Sequence, residues 1–164
     1  MNDIGRQFAR VPAWLVALPA LALAGCSMAS DGPSVELKGK RFAVEIADEP
    51  AEQIQGLMFR RELASDRGML FTYSVPAPQA YWMKNCYIPL DILYFDAQAR
   101  FINGHYNTPP CNSAQCPNYP SERPAMYVLE LAGGVAKAMS LSAGDPLTLL
   151  DVPEVGRSQP GSAR

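Results

Sequence analysis

Ile88–Tyr106 (IPLDILYFDAQARFINGHY) carries the clearest statement of fold in the chain. Two apolar runs, Ile88–Phe95 and Arg100–Tyr106, flank the polar tetrad Asp96-Ala97-Gln98-Ala99, which is the pattern of a β-hairpin. Upstream, Lys40–Ala47 (KRFAVEIA) alternates, with Phe42, Val44 and Ile46 on one face and Arg41, Ala43 and Glu45 on the other, as a half-buried strand does. Asp48-Glu49-Pro50 then supplies helix-start chemistry, and a short helix is expected from Glu49 or Pro50 to Gln55, stopped by Gly56. Further strands are expected at Gly68–Tyr73, Ala125–Leu131 and Leu147–Val152, the last entered through the turn Gly144-Asp145-Pro146. A long loop is expected over Asn107–Pro124, and a one- or two-turn helix over Gly134–Leu141. Many short strands with one or two short helices predict a mainly-β fold, a compact antiparallel sandwich or barrel of jelly-roll-like type.

The ends read differently. Arg6 and Arg10 precede an uncharged apolar run, Val11–Ala24, of 14 residues, too short for the ~20 of a spanning helix. The run closes on Leu23-Ala24-Gly25-Cys26-Ser27, a lipobox-like signature in which Cys26 is lipidated and becomes the new N-terminus. The expected organisation is a lipoprotein signal peptide at 1–25, a lipidated tether at 26–34, one β-domain at 35–152 and a disordered tail at 153–164. Export is expected, with a lipid anchor in the outer membrane facing the periplasm; Ser27, rather than Asp, after Cys26 favours outer-membrane retention. The membrane is thus one expected partner.

The whole chain has 164 residues, 14 Lys and Arg against 16 Asp and Glu, and one His. A net charge of -2 without a basic run argues against nucleic acid as a partner. A single His, His105, leaves little room for multi-His zinc chemistry. Met58, Met69, Met83, Met126 and Met139 are ligand types that suit Cu(I), but no Met-x-x-Met or Cys-x-x-Cys spacing groups them, so no metal and no cofactor is expected. With Cys26 lipidated, Cys111 and Cys116 bracket a short loop and are the expected disulfide. Cys86 is then the odd thiol, read as a buried core residue, with a reactive thiol beside Lys84 as the alternative.

Six blocks occur in order: Gly56-Leu57-Met58-Phe59-Arg60, Gly68-Met69-Leu70-Phe71, Trp82-Met83-Lys84-Asn85, Ile88-Pro89-Leu90-Asp91-Ile92, Val128-Leu129-Glu130-Leu131 and Gly144-Asp145. Together they resemble the bacterial domain-of-unknown-function 192 family over Val35–Val152. The resemblance implies a mostly antiparallel β-fold and no established activity. It also implies a Thr after Lys84-Asn85, where this chain has Cys86.

Arg60, Lys84, Asn85, Asp91 and Glu130 are polar residues set inside these apolar blocks. Alternation places Asp91 with Leu93 and Phe95, and Glu130 with Val128. A buried carboxylate needs a partner. In one reading, Arg60–Glu130 and Lys84–Asp91 are structural ion pairs. In the other, the set lines a pocket walled by Trp82, Tyr81, Phe71 and Met side chains, suited to a small polar ligand or a sugar. The expected function is an envelope lipoprotein whose β-domain binds a small molecule, glycan or envelope protein without turning it over. Two alternatives stand beside it: an enzyme using Asp91 and Glu130 as an acid/base pair, and a structural or assembly factor.

Overall fold

The computed structural model describes residues 32–153. The expected signal peptide, Cys26, residues 26–31 of the expected tether and the expected tail beyond Pro153 therefore lie outside the described residues. The alternating Phe42, Val44 and Ile46 form strand β2, Lys40–Ala47, and an unforeseen strand β1, Ser34–Leu37, precedes it. Lys38 and Gly39 both take positive φ, which makes the two-residue turn that folds β1 back on β2. Ser34, assigned to the tether by sequence, is a buried strand residue.

Helix α1, Pro50–Gln55, starts where the sequence places it, on Glu49 with Glu52 closing the capping box. It carries the chain across to β3, Arg67–Ala77, which pairs with β2 in parallel. This is the one parallel pair in an otherwise antiparallel main sheet: a parallel pair requires a crossover connection, and Pro50–Asp66 is that crossover.

Six further strands follow: β4, Ala80–Trp82; β5, Leu90–Phe95; β6, Phe101–Thr108; β7, Asn118–Pro120; β8, Ala125–Ala132; and β9, Leu147–Leu150. The β5–β6 hairpin turns at Asp96, whose Oδ1 accepts the N–H groups of Gln98 and Arg100 at 2.9 Å each. The expected long loop is shorter than the sequence suggested. β6 continues to Thr108, and β7 pairs with β4 as a separate two-stranded ribbon. Only a 3-10 turn, Lys137–Met139, forms within the expected helix at 134–141.

The main sheet runs β6-β5-β8-β3-β2-β1-β9. Its two edges meet where Phe101 N donates to Asp145 O and Leu147 N to Ala99 O, both at 2.8 Å. The sheet is thus curled into a half-barrel, and of the sandwich and barrel alternatives it takes the barrel-like one. Period-2 alternation splits the apolar residues between two cores. Phe42, Leu70, Leu93, Phe95, Leu129 and Leu131 fill the curl. Met69, Phe71, Ile92, Tyr94 and Val128 face the other way, beneath Leu57, Met83 and Cys86. β5, the most apolar strand, is buried along its whole length because both of its faces are covered. Among the described residues no helix is long and apolar enough to cross a membrane.

Candidate functional site

Glu130 lies on β8 between Met69 of β3 and Ile92 of β5, all on the outer-core face. It is 4% exposed, and it has no hydrogen-bond or ionic partner among the described residues. Burial alone pushes its carboxyl up to about 8 from an ordinary 4.5. The carboxyl sits in a cleft of ≈ 210 Å³. The end of α1 and the turn after it, Gln53–Met58, form one side, and Gln79–Trp82 with Phe71 and Tyr73 form the other. Cys86 completes the lining.

Local sequence explains this opening. Gly56 ends α1 with φ 47 and ψ -134, a backbone that favours glycine. A Cβ there would sit 3.2 Å from Phe71 Cζ and 3.8 Å from Glu130 Oε2, so the missing side chain keeps the space over the carboxyl open. Gln53 ties α1 to the sheet by donating to Thr72 O at 3.0 Å and to Ala47 O at 3.4 Å. Tyr73 and Tyr81 share a hydroxyl–hydroxyl bond of 2.8 Å, and Tyr81 meets the Phe71 ring edge-on at 4.9 Å. Burial raises both tyrosines above their ordinary pKa. Trp82, 47% exposed, and Ile54, 72% exposed, stand at the mouth.

Asp91 lies elsewhere. It stands opposite Leu131, not Glu130, and so points to the other face of the sheet. Its Oδ1 accepts the N–H groups of Asn107 at 2.6 Å and Gly134 at 2.8 Å, and its Oδ2 that of Ala136 at 2.6 Å. This fully buried carboxylate ties β6 and the turn after β8 to β5. Neither ion pair expected from sequence forms. Arg60 makes a bidentate pair with Glu45, both contacts 2.5 Å, beside a second, polar cleft of ≈ 170 Å³. The parallel β2–β3 pairing and its crossover bring these two residues together, a relation invisible before the topology is known. Lys84 reaches over the Trp82 ring, 5.8 Å from its centroid, rather than to Asp91. The acid/base pair of Asp91 and Glu130 is likewise corrected, since the sheet separates them.

Asn85, at φ 57, works through its backbone: its O accepts Phe59 N at 2.8 Å and its N donates to Cys111 O at 3.1 Å. Cys111 and Cys116 form a disulfide that closes this loop against Met83–Asn85. Cys86 is a free, buried thiol, pushed up to about 12 by burial and by the nearby Glu130, an unreactive setting. Among the described residues no three His, Cys, Asp or Glu side chains gather as a metal site.

Of the residues singled out by sequence, Glu130 and Trp82 line the main cleft, while Arg60, Lys84, Asn85 and Asp91 do not. Sequence reasoning missed Gln53, Gly56 and Tyr73. Tyr73 was within reach, since it follows Met69 and Phe71 in period 2 on one face of β3.

A curled, mainly-β half-barrel with one aromatic-walled cleft over a buried carboxyl defines the class of domain. Its sequence matches the family model DUF192, an uncharacterized ACR, over residues 34–149, and the chain belongs to that family. It is similar to the crystal structure of a protein of unknown function from Novosphingobium aromaticivorans DSM 12444, with a TM-score of 0.64 and 35% identity over 70% of this chain and 81% of that one. It is also similar to a protein from Sinorhizobium meliloti 1021 described as a "putative transcription regulator", with a TM-score of 0.63 and 36% identity over 71% of this chain and 91% of that one. No curated protein matches the chain.

Proposed function

We propose that this protein is a lipid-anchored envelope protein whose β-domain binds a small molecule in the cleft over Glu130 and releases it unchanged. The observation that carries the reading is Glu130 itself, a buried carboxyl without a partner among the described residues, at the floor of an open cleft. An unpaired buried polar group costs stability, and a ligand that satisfies it recovers that loss. The cleft is smaller than the ~300–1,000 Å³ of drug-sized sites, which suits one compact group. Release without turnover is supported by the geometry of the described residues: Asp91 is committed to three backbone N–H groups on the far face, and Cys86 is held as a thiol.

The lipobox-like Leu23–Cys26 motif supports anchoring at the bacterial envelope, in the outer membrane facing the periplasm. Eight residues from Cys26 to the first strand residue, Ser34, reach at most about 28 Å, which keeps the domain near the bilayer. The regulator description of the Sinorhizobium protein fits a ligand-sensing domain better than a DNA-reading one here. The described helices are six and three residues long, and the chain's net charge is -2.

Thermal-shift measurement of the detergent-solubilised full chain against amines, sugars, amino acids and nucleotides tests the binding reading. A ligand at 100 times its Kd stabilises by about 2.7 kcal/mol, a shift of several degrees. If no compound class shifts the transition, the binding reading falls. Loss of lipid labelling and of membrane attachment in Cys26→Ala is expected; unchanged attachment overturns the anchor.

A further inference from the structure

We infer that the cleft recognises a small organic cation, an alkylammonium group seated against the Glu130 carboxylate and walled by Phe71, Tyr73, Tyr81 and Trp82. The inference rests on the reading of this cleft as a ligand site. Its basis is what the cleft offers and what it lacks. Among the described residues no Lys, Arg or His lines it, and its one acidic side chain is unpaired and 4% exposed. An anionic ligand would meet a carboxyl and no cation.

A neutral sugar would need several free hydrogen-bonding groups. Part of the polar lining is already engaged: the Tyr73 and Tyr81 hydroxyls bond each other, and the Gln53 amide nitrogen donates to two backbone carbonyls, which leaves the Gln55 and Gln79 side-chain amides as the main neutral polar groups. Beside these two amides the cleft offers aromatic rings and one carboxyl, the combination that attracts an ammonium ion. Trp82 already shows this chemistry, since the Lys84 ammonium lies 5.8 Å from its ring centroid.

Seating a cation has a definite proton balance. The neutral Glu130 carboxyl releases one proton to solvent, and the resulting carboxylate pairs with the ammonium. The groups facing Glu130 from the surrounding elements are Tyr73 of β3, Tyr81 of β4, Cys86 and Tyr94 of β5, all held protonated by burial. α1 presents Gln53, Ile54 and Gln55 to this cleft, with Gly56 just past its end, and its Glu52 lines the second cleft instead. Glu130 is therefore the group that titrates near neutrality at the site. His105 lies behind Tyr94, 6.1 Å between ring centroids, and outside the cleft lining.

The test is calorimetric titration of the full chain in a non-ionic detergent with two matched pairs. These are choline against 3,3-dimethylbutan-1-ol, which replaces its nitrogen by carbon, and n-butylammonium against n-butanol. At pH 8.5 at least one cation is expected to bind tenfold or more tightly than its neutral partner. Its affinity is expected to fall about tenfold per pH unit below about 8, while the neutral partner's stays level. Glu130→Gln is expected to abolish the preference; if that variant fails to fold, the pH series on the unaltered protein decides. Vesicles containing phosphatidylethanolamine, compared with phosphatidylglycerol alone, separate a headgroup ammonium from a free amine. Equal affinity within both pairs, or binding of a sugar alone, overturns the ammonium inference and leaves the cleft as a ligand site. No binding of any compound overturns both.

Discussion

Asp91 and Glu130 stand on adjacent strands, one register step apart, and point to opposite faces of the sheet: Asp91 lies across from Leu131, and Glu130 across from Ile92. One carboxyl is saturated by three backbone donors and the other is bare among the described residues. The same residue class thus holds the fold together on one side and opens a site on the other.

Asp91→Asn replaces an acceptor by a donor that faces backbone N–H groups. The loss is expected to be about 2–4 kcal/mol of stability. Urea unfolding, monitored by tryptophan fluorescence, should show a lower midpoint. The folded fraction should keep any ligand response of the cleft, because Asp91 does not reach it.

Glu130 makes stability depend on pH in the direction opposite to a salt-bridged carboxylate. Its folded pKa of about 8 exceeds the ordinary 4.5, so the folded chain holds a proton that the unfolded chain has released between these values. Stability is therefore highest below about pH 4.5, so far as this group is concerned. It falls as pH rises, by up to ~1.4 kcal/mol per unit, and levels off above about 8. Glu130→Gln should flatten that slope in denaturant titrations across pH 5–9, and an unchanged slope would refute the assignment.

Gly56→Ala places a Cβ 3.2 Å from Phe71 Cζ on a backbone with positive φ. The expected cost is about 1–3 kcal/mol. The same change narrows the cleft, so any ligand-induced thermal shift should shrink more than the shift in the unliganded melting point alone explains.

Reduction of Cys111–Cys116 frees a loop whose backbone pairs with Met83 and Asn85. A ring this small constrains the unfolded chain by about 2 kcal/mol, and melting with and without dithiothreitol should show a loss of that order. Cys86, buried and held as a thiol, should resist Ellman's reagent in the native Cys26→Ala variant and react after denaturation.

Much of the fold was legible in local pattern. The β2 alternation, the capped start of α1 and the β5–β6 hairpin are properties of a few consecutive residues, so propensity and period suffice. Short elements such as β1, β4 and β7 were not, because they exist only through their pairing partners. Cys111 and Cys116 could be paired from spacing because five positions of chain bring them together unaided.

The candidate site divides along the same line. By itself the sequence determined the face each side chain shares within its own strand: Asp91 with Leu93 and Phe95, Glu130 with Val128. That follows from the two-residue period of an extended chain. Which face of one strand continues into which face of the next depends on register, and a one-residue offset reverses it. Tertiary structure alone therefore decided that Asp91 and Glu130 part, that Arg60 meets Glu45, and that Glu130 has no partner among the described residues and lies under Gly56.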